Sequence, residues 1–211
     1  MRSAPLITFE GLDGCGKSTQ IELLKEYFSK QGIDHIVRRE PGGTNLGEQI
    51  RSLLLHGEDM SSLSELYLFN ASRAQMVEEV IRPHLAQGVT VVMDRFYDST
   101  SAYQGFARYQ QQQPHWGLIQ RMNESFDMVP DVTFYLSISL EERLQRLNSR
   151  KGERDRMESQ NDSFHALVKQ GYDELARMHS DRIVTLDGSL PVQVIHEEYI
   201  VSCVEKKHKN F

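Results

Sequence analysis

The chain has 211 residues, 39% of them hydrophobic and 26% charged, with a formal net charge of −6. That composition excludes a disordered polymer, and a chain of this length buries roughly 70% of its unfolded surface, enough to hold a core without disulfide or metal staples. The acidic balance excludes a general nucleic-acid binder, which needs basic surface to displace counterions, but it leaves room for a small anionic substrate on a local arginine cluster.

The chain enters an apolar strand at 6–10 almost at once. No basic stretch followed by an apolar one precedes it, and no apolar run is long enough to cross a bilayer. The expectation is a cytoplasmic protein with no membrane partner. A glycine-rich turn follows, then helical periodicity over 18–30, stopped by Gln31-Gly32 with glycine near the C-cap. Residues 35–38 read as a second strand. Residues 63–87 read as a long helical stretch that Pro83 kinks or divides. Residues 89–94 form a third strand, and Gln110 to Gln113 a polar loop or helix start. A fourth strand spans 132–137, helices span 140–150 and 162–178, a fifth strand spans 182–186, and a helix over 192–206 closes the chain. The five strands are short and rich in β-branched residues. Strands alternating with helices predict an α/β fold, a five-stranded parallel sheet with helices on both faces. No repeat, low-complexity tract or linker divides the chain, so residues 1–211 are expected to form one domain. The two cysteines, Cys15 and Cys203, have no metal-ligand spacing and predict no disulfide, and the eight histidines are scattered singly.

The turn after the first strand carries the chemistry. Gly11-Leu12-Asp13-Gly14-Cys15-Gly16-Lys17-Ser18 matches GxxxxGK[ST] at every defined position, with a strand before it and a helix after it. Glycines let the backbone N–H groups curl inward toward phosphate oxygens, and the helix N-terminus adds its dipole. Lys17 brings a point charge to the β- and γ-phosphates, and Ser18 offers a hydroxyl to Mg²⁺. Asp94, ending an apolar strand, has the form of the second metal-side element of such folds. No Asn-Lys-x-Asp segment follows, which excludes a GTPase and leaves a small kinase using ATP.

A phosphomonoester is already anionic near neutral pH, with its second pKa at about 6, so it can attack without a general base. The obstacle is repulsion between acceptor and donor phosphates, which arginines relieve. Candidates are Arg39, Arg51, Arg73 and Arg95, plus a cluster of Arg146, Arg150, Lys151, Arg154 and Arg156 around Gly152. On spacing alone that cluster is either a mobile basic lid or a solvated charged face balanced by Glu153 and Asp155.

These residues together resemble the thymidylate (dTMP) kinases of bacterial type. Four blocks carry the resemblance: Phe9 through Thr19; Arg39-Glu40-Pro41-Gly42-Gly43-Thr44; Asp94-Arg95-Phe96 with Ser99-Thr100-Ser101-Ala102-Tyr103-Gln104-Gly105; and Pro130 through Leu136. The second and third are specific to that family, whereas the phosphate loop alone is not. The resemblance implies a three-layer P-loop NTPase fold with a lid at about 146–160, ATP and Mg²⁺, dTMP as acceptor, and a homodimer. It implies that Gly11, Leu12, Asp13, Gly14, Cys15, Gly16, Lys17, Ser18 and Thr19 bind the donor, with Ser18 and Asp94 on the metal. It implies that Phe69 stacks on thymine, Arg73 bonds its carbonyl edge, and Tyr103 crowds the sugar 2′ position. Ser99, Thr100 and Gln104 are expected beside base and sugar. Arg39 and Arg95 are expected to clamp the acceptor phosphate, Pro41 to follow a cis bond, and Asp13 to read the 3′-hydroxyl or hold the metal through water. With no arginine in the phosphate loop, the catalytic arginine is implied in the lid, where Arg150, Arg154 and Arg156 are all candidates beside Lys17, Arg95 and Asp13.

The chain departs from the family pattern at Phe96, where Tyr or His is usual, at Ser137, and at Cys15, whose alkylation is expected to fill the cradle. Two other readings stay open on the residues: another small nucleotide or deoxynucleoside kinase, for which Glu40 is the candidate base, and a nucleotide sensor without turnover, which would not need the lid arginines.

Overall fold

The computed structural model describes residues 4–150 and 154–208. Lys151, Gly152 and Glu153 of the expected lid lie outside the described residues. Five strands, β1 (Leu6–Glu10), β2 (His35–Arg39), β3 (Thr90–Asp94), β4 (Val132–Ser137) and β5 (Ile183–Asp187), pair in parallel in the order β2-β3-β1-β4-β5. β1 is central, with Phe9 opposite Asp94 on one side and Phe134 on the other. From β1 the chain runs to β2 at the sheet edge, returns to insert β3 between β2 and β1, then crosses to β4 on the other side. The crevice at the carboxyl ends of β1, β3 and β4 is therefore the topological switch point where α/β sheets bind ligands.

The helices are α1 (Lys17–Gln31), α2 (Asn45–His56), α3 (62–86), α4 (97–108), α5 (His115–Ser125), α6 (Leu140–Ser149), α7 (Asp162–Met178) and α8 (192–208). α3 runs as α-helix over Ser62–Met76, widens to a π turn over Val77–Ile81, and resumes over Arg82–Ala86 with Pro83 at its start. The π turn absorbs the missing proline N–H, so Pro83 neither ends nor divides the element. Three helices were not read from the sequence. α2 is capped by Thr44, whose hydroxyl accepts from Gly47 N–H. α4 is obscured by its own polarity, because Asp98, Thr100, Ser101 and Gln104 are buried on it. α5 begins at His115, after the Gln110 to Gln113 loop.

Both faces of the sheet are covered. Ile7, Phe9, Val92, Phe134 and Leu136 pack against Ile21, Leu24 and Phe28 of α1 and Ile195 and Ile200 of α8. On the other face Leu6, Val91 and Met93 meet Met76, Val77 and Ile81 of α3, and Tyr135 and Ile183 meet α4 and α7. Strands buried on two faces read as continuous apolar runs, which is why β1, β3 and β4 were legible, while the partly exposed β2 and β5 were legible from their short β-branched stretches.

Candidate active site

The phosphate loop joins β1 to α1. Gly11 has φ 134°, and a Cβ there would stand 2.5 Å from the Leu136 carbonyl oxygen, so only glycine lets β4 lie against the loop. Gly16 precedes α1 without any side-chain cap, which leaves the first N–H groups of the helix for a ligand anion. Lys17 is buried, and its Nζ donates to the Gly11 and Leu12 carbonyls at 3.2 and 3.1 Å. Arg146 of α6 donates to Gly14 O at 3.2 Å and to Gly188 O at 2.8 Å, tying the loop to the end of β5. Cys15 corrects one expectation. Its thiol is 1% exposed and packs among Phe9, Leu136 and Ile138. Lys17 Nζ also donates to Cys15 Sγ at 3.8 Å, and burial shields the sulfur from alkylation in the folded protein.

Ser18, Asp94, Arg39 and Glu48 line one cleft beside the loop. Asp94 Oδ1 is buried with no hydrogen-bond partner, next to the exposed Ser18 hydroxyl. An orphaned carboxylate oxygen beside a hydroxyl fits a hard cation whose remaining ligands are water and phosphate oxygens. Among the described residues no group of three or more acidic, His or Cys side chains could hold a metal alone, and Mg²⁺ does not require one. Arg39 sits in this cleft, ion-paired to Glu48 at 3.0 Å and half exposed. It is not in the acceptor pocket with Arg95, so the expected two-arginine clamp is divided between neighbouring clefts.

Asp13, Pro41, Phe69, Arg95, Thr100 and Tyr103 line the second pocket, together with Ser99 and Gln104. Arg95 organises it from a strained backbone, with φ 71°. Its N–H donates to Phe9 O at 2.9 Å. Its guanidinium donates to Asp13 Oδ1 at 2.6 Å, Tyr172 Oη at 3.0 Å and Ser99 Oγ at 3.1 Å, and reaches Tyr103 Oη at 3.4 Å. Burial raises the Asp13 pKa, but Arg95 and Lys17 overcome it and hold the carboxyl well below the usual range. Tyr103 also donates to Asp13 Oδ2 at 3.3 Å. Its phenol is pushed up, first by burial. The Glu40-Pro41 bond is cis.

Arg73, expected beside the base, lies directly behind the pocket lining. It is 1% exposed and absent from the pocket lining. It donates to Glu40 Oε2 at 2.8 Å, Thr100 Oγ1 at 2.9 Å and Phe96 O at 3.2 Å, and so stands behind the lining residues Glu40 and Thr100. Phe96, the family departure, is fully buried in the core and its ring lies 5.5 Å from the Arg73 guanidinium.

Arg51 was a candidate on charge alone, whereas Glu10, which holds Ser99 of the pocket wall, was not read from the sequence. Arg51 of α2 lines the pocket and donates to Pro41 O at 2.9 Å. Glu10 of β1 is fully buried and accepts from Phe96 N–H, Ser99 N–H, Ser99 Oγ and Tyr172 Oη. A carboxylate closing an otherwise apolar strand was the only local sign of it.

The three lid arginines each have a partner away from the phosphate loop. Arg150 pairs with Glu158 through both carboxylate oxygens, Arg154 donates to Asn148 Oδ1, and Arg156 pairs with buried Glu65 and donates to Leu54 O. Arg156 is thereby built into the wall between α2 and α3. Arg150 is half exposed and close enough to Asp13 for the two charges to interact.

The model for the family described as Thymidylate kinase matches residues 9–199. The chain is 44% identical over 215 residues to the thymidylate kinase of Chlorobium chlorochromatii, covering 97% of this chain and 96% of that one. It is 41% identical over 205 residues to that of Caldanaerobacter subterraneus, covering 95% and 94%. A crystal structure of thymidylate kinase from Ehrlichia chaffeensis superposes with a TM-score of 0.76 at 32% identity, over 96% of this chain and 98% of that one. Two adjoining anion sites at the switch point of a five-stranded parallel sheet, and likeness over nearly the whole length, place the chain in the thymidylate kinase family.

Proposed function

We propose that the chain transfers the γ-phosphoryl group of ATP to dTMP, giving dTDP and ADP, a step toward dTTP. The observation that carries this reading is the meeting of two anion sites at one residue: Asp13 belongs to the phosphate loop and is ion-paired to Arg95 of the second pocket. Donor and acceptor phosphates bound on either side would face each other across that pair.

Lys17 and the first N–H groups of α1 hold the β- and γ-phosphates. Ser18 and Asp94 would hold Mg²⁺, which supplies further neutralisation of those phosphates. Arg95 and Arg51 grip the acceptor phosphate, whose own oxygen attacks in line, with no protein base and no covalent intermediate. Phe69 stacks on the base. Tyr103 lies against the sugar, and Ser99 and Thr100 complete the wall. Arg73 acts from behind that wall by fixing Thr100 and Glu40. Arg39 balances charge in the metal cleft. Of the lid residues, Arg150 is assigned to the transferring group, because it is half exposed and near enough to Asp13 for their charges to interact.

The reading includes a homodimer. Leu46 and Leu53 lie two turns apart on α2, and Leu63 and Tyr67 one turn apart on α3. All four are exposed, at 46%, 54%, 39% and 51%. Each pair shares a helix face, and a second copy would cover them.

One assay tests the chemistry. With ATP and Mg²⁺, dTMP supports ADP release and thymidine does not. Arg150→Ala lowers kcat by about 10³-fold, the scale of a lost transition-state arginine, while Arg154→Ala leaves it nearly unchanged. Turnover of thymidine would hand the chemistry to Glu40 as base and overturn the assignment.

A further inference from the structure

Glu65 lies on α3, outside every residue the mechanism uses, yet it is 1% exposed and accepts from three other residues. Its Oε1 accepts from Gln104 Nε2 at 2.8 Å and from Arg108 Nε at 3.2 Å. Its Oε2 accepts from Arg108 Nη2 at 3.3 Å and pairs with Arg156 Nη1 at 2.8 Å. Gln160 closes the ring: its Oε1 accepts from Arg108 at 2.9 Å and its Nε2 donates to Arg156 O at 3.1 Å. Burial alone would raise the Glu65 pKa, but Gln104 and the two arginines hold it below the ordinary value.

We propose that Glu65 is a specificity-positioning residue: it fixes the amide of Gln104 so that the pocket presents a carbonyl oxygen, not an NH₂ group, to the acceptor base. This role rests on that pocket being the base site. A glutamine amide can be turned either way, and its neighbours decide which. An ionised carboxylate only accepts, so Gln104 must turn its NH₂ toward Glu65 and its oxygen away. Gln104 lines the acceptor pocket. Thymine and uracil carry an N3–H donor on the pairing edge, whereas cytosine has an acceptor there. A fixed carbonyl oxygen therefore favours the first pair and leaves two acceptors facing each other with the second. The same carboxylate binds Arg156, whose neighbours Asp155 and Met157 line the pocket, so one buried charge sets both the floor and the lid side.

The test is selectivity, which a merely structural residue would not move. The kcat/KM values for dTMP and dCMP are measured for the parent, Glu65→Gln, and the exchange Glu65→Gln/Gln104→Glu. Glu65→Gln lets the Gln104 amide turn over. It should lower kcat/KM for dTMP by about tenfold, the upper worth of one neutral hydrogen bond, and the dTMP:dCMP ratio should fall by a similar factor. The exchange variant puts the carboxylate on 104 and the amide on 65, so an acceptor again faces the base and the ratio should recover. An equal loss for both acceptors, with the ratio unchanged, would reduce Glu65 to a structural role and overturn the proposal. If Glu65→Gln does not fold, an exchange variant that folds but shows no dTMP preference overturns it instead. A parent that does not prefer dTMP would defeat the thymine reading of the pocket itself, a different failure.

Discussion

Asp13 and Glu40 line the same pocket, and arginines face both, yet their protons are held in opposite ways. Arg95 and Lys17 keep Asp13 ionised. Glu40 is 5% exposed, its Oε1 has no partner, and burial outweighs Arg73 to raise its pKa from 4.5 to about 7. A carboxyl whose folded pKa is raised contributes stability fully below pH 4.5 and loses that contribution as pH rises through about 7. Glu40→Gln removes the titration. Urea unfolding across that window should show the parent losing up to about 3 kcal/mol relative to the variant. Parallel stability curves would contradict the raised pKa. The phosphate loop was legible in the sequence because its residues are contiguous and its geometry is local. Glu10 was not, because its partners Phe96, Ser99 and Tyr172 lie 86, 89 and 162 positions away. Arg51 was nominated by charge alone, and Arg39 by charge and by the family resemblance. Which of them enters the pocket is decided by α2, an element the sequence reading had missed.

At the scale of elements, α4 gives the pocket Ser99, Thr100, Tyr103 and Gln104, and α7 packs against α4. Their contact is close because α7 has Gly171 at the crossing: a Cβ there would stand 2.8 Å from Phe106 Cβ and 3.1 Å from Ala102 Cα. Glycine costs a helix about 1 kcal/mol relative to alanine, and this close approach gives it a packing reason. Gly171→Val should destabilise the chain by about 1–3 kcal/mol through overpacking, read as a fall in Tm of roughly 2–4 °C per kcal/mol. Because α4 would be displaced, acceptor KM should rise while the ATP site is spared. An unchanged Tm would mean the two helices can part freely. α7 was read from its periodicity with both ends in place. α4 was not read at all, because its apolar residues Ala102, Tyr103, Phe106 and Ala107 are interleaved with buried polar ones, Asp98, Thr100, Ser101 and Gln104, which break the helical periodicity.

At the scale of the molecule, alternating strands and helices fixed the parallel sheet, but nothing in that alternation gives the strand order. The order follows from the crossing to β4 that leaves β1 central, and it brings Asp13, after β1, beside Asp94-Arg95, at the end of β3. The exposed apolar faces of α2 and α3 also belong to this scale. Leu53→Glu should convert a dimer to a monomer in sedimentation, and a parent that sediments as a monomer would remove the dimer from the account.

The central claim is phosphoryl transfer to dTMP, and the direct measurement is ADP release from ATP and Mg²⁺ with dTMP, dUMP, UMP, CMP, AMP, GMP and thymidine in turn. The structure and chemistry set out above predict strong turnover with dTMP, weaker turnover with dUMP and little with the rest. Preference for another monophosphate, or for thymidine, would leave the phosphate loop and the donor site standing and would contradict the pocket built from Phe69, Arg95, Thr100, Tyr103 and Gln104 as a site for thymine on deoxyribose.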